Sequence, residues 1–84
     1  MDTSISIIIP AFNAEKTISH CLKNIIDETR DFTKEIIVVD DCSVDKTFEK
    51  VKEFSDVKIF KLKSNKGVGF ARSYGAKVSS YNTL

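Results

Sequence analysis

Hydrophobic positions along this chain follow two rhythms. Ser4–Pro10, Glu35–Asp40 and Val57–Leu62 are short stretches rich in Ile and Val, and in the first two the apolar residues are consecutive rather than alternate. That pattern suits strands covered on both faces, as in a parallel sheet. Between the first and second stretches, Ile18, Cys21, Leu22, Ile25 and Ile26 recur at helical spacing. They predict a helix from about Glu15 to Glu28, with Asn13 placed to cap its start. Phe48, Val51 and Phe54 follow Ser43, a good capping residue, with Asp45 in the first turn, and predict a second helix from Val44 to Ser55. Val68, Ala71, Gly75 and Val78 predict a third, running through Ser79, with a narrow seam of small residues.

The order is therefore βαβαβα. The right-handed crossover rule turns it into a three-layer α/β/α unit, a parallel three-stranded sheet in the order 3-2-1 with helices on both faces. The chain reaches Tyr81-Asn82-Thr83-Leu84 where another strand is expected to begin. The first strand then stands at an open edge, and an open edge invites self-association with a second copy.

Composition narrows the classes. Residues 1–84, with 42% hydrophobic and 30% charged side chains, make one small globular unit, either a small binding module or a piece of something larger. Thirteen Lys and Arg against twelve Asp and Glu leave a net charge of +1 with the signs interspersed, which argues against a nucleic-acid partner. The longest apolar run, residues 7–12, is far too short to span a bilayer, and Met1-Asp2-Thr3-Ser4 lacks the basic start of a leader. A cytoplasmic location follows, with the cytoplasmic face of a membrane as the alternative for the full-length protein. Cys21 and Cys42, with His20 alone to join them, are too few for a zinc site. Both thiols read as reduced and structural.

Open α/β sheets bind ligands beyond the carboxyl ends of their strands. Those positions hold Pro10-Ala11-Phe12-Asn13-Ala14-Glu15, Asp40-Asp41-Cys42-Ser43 and Lys63-Ser64-Asn65-Lys66-Gly67-Val68-Gly69. The combination suits a nucleotide: Phe12 offers a flat face to a base, a carboxylate of Asp40 or Asp41 accepts a ring N–H, and Lys66 or Arg72 meets phosphate oxygens. Gly67-Val68-Gly69 is no dinucleotide fingerprint, because Arg72 occupies its last position and the turn follows the third strand. No Walker loop is present, and His20 and Cys21, as helix neighbours, diverge too far to act together.

Taken in order, Ile5–Glu15, Glu35–Thr47 and Asn65–Gly75 resemble the start of a family 2 glycosyltransferase. The resemblance covers nearly the whole chain and implies part of a GT-A nucleotide-diphospho-sugar transferase fold. It also implies inverting transfer of a sugar from a nucleotide-diphosphate donor, a UDP-sugar foremost, to an acceptor hydroxyl. It makes Pro10, Ala11 and Phe12 the floor under the base, with Phe12 where tyrosine is commoner. Glu15 becomes a nucleotide-side contact, Asp41 the carboxylate for the base N–H with Asp40 supporting its loop, and Lys66, Gly67 and Arg72 the diphosphate side.

The chain departs from the family in one respect. The Asp-x-Asp motif that binds Mn²⁺ or Mg²⁺ and the later general base are both absent, and no two acidic residues stand at i and i+2. Developing charge on the leaving diphosphate and the acceptor proton both need such groups. The segment is therefore expected to hold donor nucleotide, to bind no metal by itself and not to turn over alone. The competing reading is a small α/β binding module or a phospho-receiver-like signalling module, since Asp40-Asp41 ends a strand. In a receiver the pair ends the first strand and a third Asp ends the third, whereas here the pair ends the second and no Asp ends Val57–Leu62.

Overall fold

The most apolar stretch of the sequence lies inside the sheet. The computed structural model describes residues 4–83, with the backbone alone for Asn82 and Thr83; Met1–Thr3, read above for a leader, lie outside the described residues. The elements are β1 (Ile5–Ala11), α1 (Ile18–Glu28), β2 (Lys34–Asp40), α2 (Thr47–Lys52), β3 (Val57–Lys61), α3 (Val68–Val78) and β4 (Asn82–Thr83). All strand pairs are parallel, in the order β3-β2-β1-β4. The predicted 3-2-1 order holds, but the sheet is four-stranded rather than three-stranded. β4 pairs Asn82 with Ile5 and Thr83 with Ser6, so β1 is an edge only beyond Ser6. Ile7, Ile8 and Ile9 are accordingly half-buried.

From Glu35 to Asp40 every residue of β2 is buried, and alternate residues feed two cores. Ile36 and Val38 pack with Ile18 and Leu22 of α1 and Val51 of α2. Ile37 and Val39 pack with Ala71 of α3 and Leu62 on the opposite face. The side-chain period of two in a strand produces this division, and it gives the three-layer arrangement expected from the sequence. Each fully buried aliphatic side chain contributes roughly 1.5–3 kcal/mol.

Gly75 lets α3 lie close on the sheet. A Cβ there would intrude on Ile8 Cγ2 and come 3.3 Å from Val39 Cγ2. The predicted seam thus holds at Ala71 and Gly75 but not at Val68, which is 57% exposed in the first turn of α3. Cys21 also departs from its expected place: it is exposed, because the apolar stripe of α1 centres on Ile18 and Leu22. Both early helices are shorter than predicted. α1 starts at Ile18 and α2 covers only Thr47–Lys52, because the residues before each are held in loops by long-range hydrogen bonds.

Candidate functional site

Three loops meet at the carboxyl ends of β1, β2 and β3. The loop after β1 is laced to the loop after β2 by four bonds. Asn13 N–H donates to Ser43 Oγ at 2.8 Å, and Val44 N–H donates to Asn13 Oδ1 at 3.0 Å. Ala14 N–H donates to Thr47 Oγ1 at 2.7 Å, and Glu15 N–H donates to Asp45 Oδ2 at 3.2 Å. Asn13 and Ser43 therefore do not cap their own helices as the sequence suggested. Each reaches across to the other loop, and Asp45 and Thr47 satisfy the N–H groups ahead of α1. Asn13 sits at φ 50, a left-handed conformation that Asn tolerates better than most residues.

Asp45 also accepts the Thr47 N–H and hydroxyl on Oδ1. Partial desolvation pushes its carboxyl up, but the Thr47 and Glu15 donors together outweigh this and hold it below the usual carboxylate range.

The adjacent aspartates diverge. Asp40 is fully buried, and its Oδ1 takes the Ser43 hydroxyl and the Ser43 N–H, so it stiffens the loop from beneath. Asp41, 4% exposed, turns to the loop after β3: Lys66 N–H donates to Oδ1 at 2.7 Å and Gly67 N–H to Oδ2 at 2.8 Å. Its own N–H donates to the Ala11 carbonyl at 2.8 Å. Asp41 thus joins all three loops, by its carboxylate to the loop after β3 and by its N–H to the end of β1, and each carboxylate oxygen keeps a second lone-pair position. Gly67, at φ 94, supplies the turn that aims its N–H there and starts α3.

The other sequence-predicted site residues lie at the end of β1, in the loops after β1 and β3 and on α3. Pro10 is half-buried in β1, Ala11 is buried, and Phe12 is 49% exposed, a ring presented rather than packed away. Glu15 is half-buried, and its carboxylate has no partner among the described residues. Lys66 is exposed with its Nζ 5.8 Å from the centre of the Phe70 ring, and Arg72 is exposed on α3 without an ion pair among the described residues. Hydrogen bonds join Ala11, Asp41, Lys66 and Gly67, while Phe12 and Arg72 are exposed and Glu15 is half-buried.

A divalent cation does not fit this donor set. Asp40 and Asp41 serve different loops, and among the described residues no three His, Cys, Asp or Glu side chains converge. A cavity of about 300 Å³ lined by Ile26, Phe32, Lys34, Ile36 and Asp56 lies at the opposite rim, near the amino ends of β2 and β3.

Sequence reasoning missed a second polar cluster at that opposite rim. Glu35 Oε1 accepts the Ser6 hydroxyl at 2.7 Å and the Ser80 N–H at 2.7 Å, while Lys58 Nζ meets Oε2. Tyr81 N–H donates to Ser6 Oγ at 3.0 Å, which fixes where the chain leaves α3 to pair with β1. The Lys58 bond and the Ser80 N–H lower the Glu35 carboxyl to about 2, against the upward push of burial.

The family model of glycosyl transferase family 2 matches residues 6–83. A UDP-Glc:α-D-GlcNAc-diphosphoundecaprenol β-1,3-glucosyltransferase of Escherichia coli is 43% identical over 82 residues, covering 94% of this chain and 32% of the relative. The dolichol-phosphate mannosyltransferase of Pyrococcus furiosus is 34% identical over 79 residues, covering 90% of this chain and 22% of the relative. The crystal structure of S. aureus TarS 1–349 in complex with UDP superposes with a TM-score of 0.86 at 32% identity, covering all of this chain and 26% of that one. The chain spans about a third or less of the length of these proteins.

Proposed function

We propose, since the chain belongs to glycosyl transferase family 2, that its carboxyl-end rim holds the nucleotide of a sugar donor for inverting transfer to an acceptor hydroxyl. The observation that carries this reading is Asp41: a buried carboxylate at the junction of three loops, with open lone pairs, beside an exposed aromatic ring. In it, Pro10 and Ala11 form the floor and Phe12 stacks on the base. Asp41 accepts the base N–H while Asp40 holds its loop through Ser43. Glu15 lies on the nucleotide side, and Lys66 and Arg72 face the diphosphate from either side of the Gly67 turn, their charge opposing that of the leaving group.

A uridine base suits a carboxylate acceptor, and the superposed TarS structure was solved with UDP. The two relatives named for lipid-linked diphosphate or phosphate substrates make a lipid-linked acceptor the first class to try. Mn²⁺ or Mg²⁺ and the general base belong, in this reading, to residues beyond the 84, which form the nucleotide-binding half of a longer domain. The cytoplasmic location stays part of the proposal, as does self-association through the part of β1 beyond Ser6, which a concentration-independent monomer in sedimentation would overturn.

The test is an amide-resolved NMR titration of the chain with UDP, dTDP and GDP, with and without Mg²⁺. Shifts confined to Phe12, Asp41 and Lys66–Arg72, strongest with UDP and indifferent to Mg²⁺, are expected. Phe12→Ala should weaken UDP binding about tenfold, the scale of one base-stacking contact. A folded chain whose amides do not respond to any nucleotide overturns the reading.

A further inference from the structure

The net charge of +1 conceals a strong polarity. Residues 1–45 hold nine acids and four bases, whereas residues 46–77 hold three acids and nine bases, and no acid follows Asp56. The interspersed signs expected from the sequence therefore hold only through the first two-thirds of the chain. In the fold this second half is α2 and β3, which pack together at the β3 edge of the sheet, and α3, which lies over β1 and β2.

The lysines of that edge are largely unneutralised. Lys52 and Lys61 both bring Nζ to the Phe48 ring, at 5.5 and 5.4 Å from its centre, and Lys63 follows two residues on, exposed. Of the lysines on this edge, Lys58 alone is ion-paired among the described residues, to Glu35. Two ammonium groups drawn to one ring, neither ion-paired among the described residues, repel each other, and an external anion relieves that repulsion. Lysine on an edge strand also discourages strand pairing. That role accounts for Lys58 and Lys61, but not for Lys52 on a helix, Lys63 in a loop, or the absence of acids after Asp56.

We propose that the β3 edge, through Lys52, Lys61 and Lys63, is a docking face for an anionic lipid bilayer. A face with this one-sided charge orients the molecule in the field of a negative surface, and each lysine near the headgroups strengthens binding about fivefold. The inference extends the lipid-linked acceptor reading given above. Vesicle binding is measured without nucleotide or sugar transfer, so either reading can fail alone.

The experiment is co-sedimentation of the chain with vesicles of phosphatidylcholine alone or with about a third phosphatidylglycerol, at low and high NaCl. Binding is expected only to the anionic vesicles, and it should fall steeply with salt. Lys61→Gln with Lys63→Gln should lower the partition coefficient about 25-fold. The charge-matched control, Lys16→Gln with Lys23→Gln on and before α1, should change it less than about twofold. Circular dichroism melts confirm that both variants fold. No binding to anionic vesicles at low salt, or equal losses in the two double variants, overturns the proposal. So does tighter binding to a single-stranded oligonucleotide than to the vesicles, which would mark the face as a general polyanion site.

Discussion

The Thr47 hydroxyl accepts the Ala14 backbone N–H at 2.7 Å, across 33 positions of sequence, and donates in turn to Asp45. This side chain is one of the ties that hold the loop carrying Phe12 against the loop carrying Asp41. Thr47 is fully buried, so Thr47→Val keeps the shape but leaves the Ala14 N–H without its acceptor. The expected cost is about 1–3 kcal/mol in chemical denaturation, because a buried donor loses its partner without regaining water. Thr47→Ser keeps the hydroxyl and should lose less than half of that. Equal costs for the two would place the effect in packing instead.

Glu35 predicts the acid limit of the fold. Its carboxyl is held at about 2, below the usual value of 4.5, by Lys58 and the Ser80 N–H foremost. A lowered folded-state value means that the unfolded chain binds the proton first as pH falls. The stabilisation is therefore complete above pH 4.5 and is lost progressively down to about pH 2. Its size is about 2 kcal/mol once the exposure of Lys58 is allowed for. Glu35→Gln should lower stability at neutral pH and flatten the pH dependence between those limits. An unchanged acid transition in that variant would show that other carboxylates, Asp45 among them, set the limit.

The two glycines of α3 should respond in opposite directions to alanine. At Gly75 the new methyl would meet Ile8 and Val39, and overpacking costs about 1–3 kcal/mol or more, exceeding the helix-propensity gain of about 1 kcal/mol. Gly69 has nothing within 4 Å of the same position, so only the propensity gain remains. Gly75→Ala is expected to lower the melting midpoint by roughly 10 °C and Gly69→Ala to raise it by several degrees. A neutral Gly75→Ala would mean that α3 can shift outward at no cost.

The strands were legible because burial on both faces writes itself as an unbroken apolar run, and α1 because its stripe has a helical period. The rim residues were legible as a set because the ends of parallel strands converge in any open sheet. What escaped were relations between distant residues. Asn13 and Ser43 have the chemistry of caps, and local rules assign such residues to the nearest helix; only the fold shows them reaching across about 30 positions to each other's loops. Nothing beside Glu35 in the sequence marks it, and its partners Ser6, Lys58 and Ser80 arrive from three other segments. A strand is expected from Tyr81 on, but no apolar run shows that it already pairs with β1 at Asn82 and Thr83, a pairing set up by the N–H bonds of Ser80 and Tyr81 just before them.

Cys42 gives the last prediction. It stands between Asp41 and Ser43 at φ 63, in the left-handed region, where a side chain with a Cβ costs roughly 1–2 kcal/mol that glycine does not incur. Its thiol returns little, reaching only the Lys63 carbonyl at 3.7 Å. Cys42→Gly removes the strain but gives the unfolded chain more freedom, an opposing effect of about 0.4–1 kcal/mol. The balance favours glycine by up to about 1 kcal/mol, a rise of a few degrees in the melting midpoint. Cys42→Ala keeps the Cβ and the strain while discarding the thiol, so it should melt at or slightly below the parent. If alanine stabilises as much as glycine, the thiol itself is the unfavourable element and the backbone at residue 42 is unstrained.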